Sequence, residues 1–119
     1  MKINIYLALT LFLITSCSSA PEYLSDDNKN IFIKNKIDAS IPKYKSCFNQ
    51  HKRNNIDKGI AKVSFTIGKS GKITEANTKL TSGRLNNLIL KCMTNVSKNL
   101  SFPPSSIGEI QINQPINFH

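Results

Sequence analysis

The sequence has few of the residues that build active sites. Its 119 residues include two histidines, no tryptophan and an aromatic fraction of 8%. His119 is the last residue, and no GxSxG motif, HExxH motif or pair of carboxylates at a catalytic spacing is present. Gly68–Ser70 is similar to the end of a P-loop, but Val63 stands where that motif requires glycine. We therefore predict that the protein is not an enzyme and has no catalytic residue and no cofactor.

The apolar run near the N-terminus is too short to cross a bilayer as a helix. Lys2 supplies a positive charge before it, and polar residues interrupt Ile3–Ile14 at only two positions, as is typical of a signal peptide. The run leads into Leu13–Cys17, where branched apolar and small residues precede a cysteine in a pattern that resembles a bacterial lipobox. We predict that residues 1–16 are removed and that Cys17 becomes a lipid-anchored N-terminus.

A lipid on Cys17 attaches the mature chain to a membrane outside the cytoplasm. Two or three acyl chains suffice for stable anchoring, because each buried methylene contributes about 0.8 kcal/mol. Ser18 follows the cysteine, and by similarity to Gram-negative lipoproteins without aspartate at this position we expect an outer-membrane lipoprotein that faces the periplasm. The alternative is an ordinary signal peptide that is cleaved after Ala20, in which case Cys17 is incidental.

The segment after the cysteine is polar and shows no periodicity. We predict a lipidated cysteine and a flexible tether over residues 17–30, because such a composition does not bury a core. Residues 31–119 are then one small domain.

Acidic residues are scarce in this sequence. Asp and Glu number 7 against 16 Lys and Arg, which gives a formal net charge of +9. A basic surface attracts nucleic acid, anionic lipid headgroups or cell-wall polymer. Export from the cytoplasm argues against nucleic acid, so we predict no nucleic-acid partner. A general lysine and asparagine bias of the proteome is an alternative explanation of the charge.

Only three cysteines are present, and Cys17 is assigned to the lipid. Cys47 and Cys92 remain as an even pair in an oxidising compartment, which predicts a disulfide. Closing a loop of this length stabilises a domain by about 4 kcal/mol in the chain-entropy model. A metal site is the rival interpretation, because Cys47 and His51 are four residues apart, but two further ligands at a recognisable spacing are missing. We predict the disulfide and no metal.

Two segments show helical periodicity. Ile37–Lys52 has apolar residues at intervals of three or four, and we place its N-cap at Ser40 with Pro42 in the first turn. Leu85–Val96 is a second amphipathic segment, and the prolines that follow Phe102 end it firmly.

Three segments have the pattern of strands. Gly59–Ile67 alternates apolar and polar residues, a Gly-rich turn follows, and Lys72–Leu80 returns, with a bulge or weak pairing near Ala76. Thr81–Gly83 ends this strand, and Ile110–Phe118 is the last one. The predicted fold is α+β, a three-stranded antiparallel sheet with two helices packed on one face and the last strand at an edge beside the first. The predicted core contains Val63, Phe65, Ile67, Leu88, Ile89, Val96 and Ile112.

The order of these features resembles a known family. An aromatic residue follows the first cysteine in Cys47–Phe48, a Gly-rich hairpin comes next, and Phe102–Pro103 lies after the helix that holds Cys92. A Pro-x-x-Phe stands near the end, in Pro115–Phe118. This arrangement is similar to the TonB C-terminal-domain-like family, and in particular to its two-cysteine AgmX/PglI-type subgroup. The resemblance covers about residues 31–118.

The resemblance implies a non-catalytic module of the cell envelope that binds protein segments by strand addition at a sheet edge. The edge residues that we expect to serve are Glu109, Gln111 and Asn113, with Pro115 limiting the pairing. A proline there is also a guard against edge aggregation, so protection without binding is the alternative. The other function left open is a structural lipoprotein whose basic surface contacts peptidoglycan or anionic lipid. The expected partners are thus the membrane, through the lipid, and an envelope protein or peptidoglycan.

Overall fold

The computed structural model describes residues 23–119. The predicted signal peptide and the predicted lipidation of Cys17 lie outside this range. Within it, no helix is both long enough and apolar enough to span a bilayer. The elements in chain order are α1 (Lys29–His51), β1 (Lys58–Ile67), β2 (Ile73–Arg84), α2 (Asn87–Lys98) and β3 (Ile110–Phe118).

The three strands form one antiparallel sheet in the order β2-β1-β3. Every second residue of β1 from Ala61 to Ile67 is buried, and the residues between them are half-buried on the opposite face. The hairpin turn between β1 and β2 is held by Gly71, whose φ of 92° favours glycine and whose carbonyl accepts the Phe102 N–H at 2.9 Å. The predicted α+β fold, with its three-stranded antiparallel sheet and two helices, is confirmed.

The core forms two clusters between the sheet and the helices. One surrounds the contact of α1 with α2 and contains Tyr44, Cys47, Phe48, Ala61, Val63, Leu85, Ile89, Met93, Ile116 and Phe118. The other lies towards the hairpin turn and contains Leu24, Ile33, Ile37, Phe65, Ile67, Leu100 and Phe102. A single hydrogen bond of 2.7 Å joins the buried hydroxyls of Tyr44 and Ser97 across the two helices. Burial raises the pKa of Tyr44, because the charged phenolate would lose its hydration.

The first helix begins earlier than its sequence predicts, so the predicted extent of the flexible tether is wrong for its last residues. Leu24 is fully buried, and α1 starts at Lys29 rather than beyond Ile37. Ser40 is therefore not an N-cap: it lies inside the helix, where its Oγ donates to the Lys36 carbonyl at 2.8 Å. Pro42 likewise lies within the helix and not in its first turn.

Two further expectations need correction. The strand β2 does not end at Thr81–Gly83 but continues to Arg84, because residues 82–84 pair with residues 58–60 at the beginning of β1. Leu88 is not in the core: it is 60% exposed, since Ile89 and Met93 set the buried side of α2. The expected irregularity near Ala76 is present as a register shift, with Glu75 opposite Thr66 and Ile73 opposite the next residue of β1.

Candidate functional site

The last strand, β3, is an edge of the sheet, as its sequence predicts. It pairs with β1 on one side, and no strand of the described chain lies on its other side. An unpaired edge presents a row of backbone N–H and C=O groups that another chain can bind. The site is therefore defined by which groups of β3 point outward and what surrounds them.

The backbone of β3 turns outward at its odd-numbered residues. Thr81 Oγ1 donates to the Ile60 carbonyl at 3.0 Å, which places the backbone groups of Ile60 on the β2 side of β1. Because successive residues of a strand direct these groups to opposite sides, Ala61 and alternate residues after it face β3. They meet the even-numbered residues of β3 in the register. The backbone groups of Gln111 and Asn113 are consequently free of the ladder.

Pro115 occupies the next outward position. Its missing N–H costs the β1–β3 ladder nothing there, which explains how a proline fits within a strand. Its carbonyl accepts a hydrogen bond of 3.1 Å from the side-chain amide of Gln114. The usable part of the edge therefore precedes Pro115.

The three predicted edge residues do not share one environment. Gln111 and Asn113 lie in β3, but Glu109 precedes the strand, which begins at Ile110 after Gly108 with a φ of 90°. The Asn113 side chain lies over the open face of the sheet, where its Oδ1 accepts a bond of 2.7 Å from Ser64 Oγ. The structure thus brings two of the three together.

A groove of about 470 Å³ runs between α1 and this edge. Its apolar surface comes from Ile33 and Ile37 of the helix and Ile110 and Ile112 of the strand. Its polar rim contains Lys29, Asn30, Lys34, Asp38, Gln111, Asn113 and Gln114. A groove with an isoleucine floor and a polar rim, beside free backbone groups, suits an extended segment whose alternate side chains are apolar.

The rim charges of the groove are paired. Lys34 Nζ lies 2.8 Å from Asp38 Oδ2, and Lys29 Nζ lies 3.4 Å from Asp26 Oδ1. Exposed pairs of this kind contribute little to stability, but they leave the groove without a strong net charge.

The helix wall of the groove is the part that sequence reasoning missed. The four-residue spacing of Ile33 and Ile37 is the sequence signal for this wall, because it fits a helix that begins before Ile37.

The predicted disulfide is present on the other side of α1. Cys47 and Cys92 are bonded, with their Cα atoms 5.6 Å apart, and the bond joins α1 to α2 inside the first core cluster. Within residues 23–119, no group of three or more His, Cys, Asp or Glu side chains is arranged to hold a metal ion.

A buried carboxylate, that of Asp57, lies near the C-terminal end of α1. The Asp57 carboxylate accepts from the Arg53 backbone N–H at 2.6 Å and from the Arg53 guanidinium at 2.9 and 3.0 Å. The Arg53 partner holds the pKa of this carboxyl well below its usual value, and Asn86 adds a further donor at 3.0 Å. This network is structural, because it fixes the loop that leads into β1.

Comparison with known proteins identifies no relative. No family model matches the chain, and neither the curated proteins nor the solved structures contain a match to it.

Proposed function

We propose that the protein is a non-catalytic lipoprotein of the cell envelope that captures an extended segment of another envelope protein at β3. The observation that carries this proposal is the groove between α1 and β3, with outward backbone groups at Gln111 and Asn113 beside an apolar floor. The sequence pattern at Cys17 supports the envelope location, and the Cys47–Cys92 bond is of the kind that oxidising compartments favour.

The bound segment adds a fourth strand to the sheet. Backbone hydrogen bonds at Gln111 and Asn113 supply affinity, and alternate side chains of the segment enter the groove against Ile33 and Ile37. The other side chains lie over the open face of the sheet, because side chains of a strand alternate between its two faces. Since the rim charges are paired, recognition depends on backbone and apolar shape more than on charge.

The proposal is tested by Gln111→Pro, which removes an outward donor and leaves the ladder to β1 intact. We expect capture of the partner, measured by crosslinking of the full-length protein in intact cells, to fall about tenfold or more, since one lost bond in a short edge is a large part of the pairing. The matched control is Leu80→Pro, which removes a donor at the opposite edge of the sheet, where Leu80 is exposed.

Each variant is used only if its disulfide forms and its thermal unfolding is cooperative. Unchanged capture in folded Gln111→Pro means that β3 is guarded rather than used, and the basic surface then becomes the better candidate for binding. Equal losses in both proline variants also contradict the proposal, because they indicate a general effect on the sheet.

A further inference from the structure

The open face of the sheet carries pairs of like charges in direct opposition. Lys62 of β1 lies opposite Lys79 of β2, and Lys58 lies opposite Arg84 at the end of the same ladder. The buried side chains of Ala61 and Val63 point to the helices, so Lys62 points away from them. Like charges directly opposite one another destabilise a sheet, so this arrangement is a cost to folding.

No carboxylate among residues 23–119 forms an ion pair with these four side chains. The ion pairs of residues 23–119 use Lys29, Lys34 and Arg53, and none involves these four residues. Glu75 lies on the same face, but it is four residues along β2 from Lys79, a distance of about 13 Å. We call Lys58, Lys62, Lys79 and Arg84 the basic ladder.

The geometry points to an anionic membrane surface as the occupant of the basic ladder. Beyond Lys62, the exposed face continues with the uncharged polar side chains of Ser64 and Asn113 and with Glu75 opposite Thr66, and it is not covered by either helix. Such a face, about 30 Å long, matches a flat surface with many negative headgroups. Charge complementarity supplies the attraction, at about fivefold in the binding equilibrium for each cation near the surface.

The short distance between Cys17 and the folded domain favours a membrane over other polyanions as the partner of the basic ladder. This step rests on the lipoprotein part of the proposed function, but not on capture at β3. Between Cys17 and Leu24 there are only six residues, so these two residues lie at most about 25 Å apart. A lipidated Cys17 therefore keeps the domain within about its own length of the bilayer, where the effective concentration of headgroups is high.

Lying on this face leaves the outward backbone groups of β3 and the groove accessible, and the side chains that a captured segment adds to the open face then point towards the membrane. The edge of β3 and its groove open to the side of the sheet, and the helices point away from the membrane. The domain is then oriented with its binding edge parallel to the bilayer.

The test is lysine footprinting of the full-length protein in vesicles. A membrane-impermeant amine reagent is applied to protein in phosphatidylcholine vesicles with and without phosphatidylglycerol, and labelling is read by mass spectrometry. We expect Lys62 and Lys79 to be labelled several-fold more slowly in the anionic vesicles, with Lys34 and Lys91 on the helices unchanged. The protection disappears near 1 M salt, where the screening length is about 3 Å.

Two matched variants separate the basic ladder from net charge. Lys62→Gln with Lys79→Gln removes two cations, so we expect face-down binding to weaken about 25-fold and the protection of Lys58 to be lost. Lys91→Gln with Lys98→Gln makes the same change of charge on α2 and leaves Lys58 protected.

Three results overturn the inference. One is equal labelling of Lys62 and Lys79 in both kinds of vesicle, and another is equal loss of protection in both double variants. The third is protection by purified peptidoglycan in place of vesicles, which assigns the basic ladder to the cell wall. If the protein is not lipidated, the mature chain lacks the mass of a lipid, which mass spectrometry detects separately. If β3 does not capture a partner, the crosslinking experiment shows it.

Discussion

At the scale of single residues, one buried carboxylate connects three parts of the chain. Asp57 binds Arg53 after α1, and Asn86 donates both to Asp57 and to the His51 carbonyl at 2.8 Å. The Asn86 Oδ1 also accepts the Leu88 N–H at 2.9 Å, so the same side chain caps α2. The sequence does not reveal this network, because Asp57 stands in a polar loop where an aspartate is ordinary.

We predict that Asp57→Asn lowers the free energy of unfolding by about 1–3 kcal/mol at neutral pH, since the Arg53 and Asn86 donors lose a charged acceptor. The carboxyl has a lowered pKa in the folded state, so its contribution is present above its unfolded value of 3.8 and is lost as the pH falls through the folded pKa. The difference between wild type and variant is therefore constant above about pH 5 and shrinks below about pH 4. Urea unfolding across this range measures it.

The control for this prediction is Asp26→Asn, which removes a carboxylate with 79% side-chain exposure. We expect it to change stability by less than about 0.5 kcal/mol at any pH. A pH-independent difference between wild type and Asp57→Asn contradicts the assignment of the ionised carboxylate.

At the scale of elements, the sequence predicts those helices and strands whose bounds are set by local residue patterns. The alternation of β1 and the proline of β3 identify both strands and the edge, and the edge position of β3 is confirmed. The start of α1 was missed because Ser40 and Pro42 form a convincing local beginning, whereas Ile33 is apolar for a contact made across the fold. The end of β2 depends on pairing with β1, which no local pattern records.

The phase of α2 shows a second limit of the sequence. Leu88 and Ile89 are adjacent and equally apolar, so periodicity alone admits either as the centre of the buried side. The sheet selects Ile89, and Met93 one turn later, and leaves Leu88 exposed. The groove was missed for the same reason as the start of α1, because one of its walls is the missed part of that helix.

The disulfide also belongs to the element scale, because it is the covalent link between α1 and α2. We predict that Cys47→Ala with Cys92→Ala lowers the free energy of unfolding by about 2–5 kcal/mol, since the unfolded chain regains the freedom of a loop with a sequence separation of 45. Chemical denaturation measures the loss. The mass of the exported wild-type protein under non-reducing conditions is the control, and two free thiols there contradict the bond.

At the scale of the whole molecule, three surfaces have different roles. The helices and one face of the sheet enclose both core clusters, the edge of β3 borders the proposed capture groove, and the open face carries the basic ladder. The edge and the open face adjoin along β3, so a captured segment pairs its backbone with β3 while the side chains that it adds to the open face point towards the membrane. The segment around Leu24 ties the N-terminal end of the described chain to the second core cluster, near the hairpin turn.

The domain therefore starts before α1, and Leu24 is its first core residue among residues 23–119. Its N–H donates to the Pro104 carbonyl at 2.8 Å, its carbonyl accepts the Ser106 N–H at 2.9 Å, and its side chain is fully buried. We predict that Leu24→Ala costs about 2–5 kcal/mol of unfolding free energy, as a buried cavity does. Tyr23→Ala is the control, since Tyr23 is 56% exposed, and costs less than about 0.5 kcal/mol. Urea unfolding measures both variants, and equal, small effects contradict the assignment of Leu24 to the core and place it in the tether.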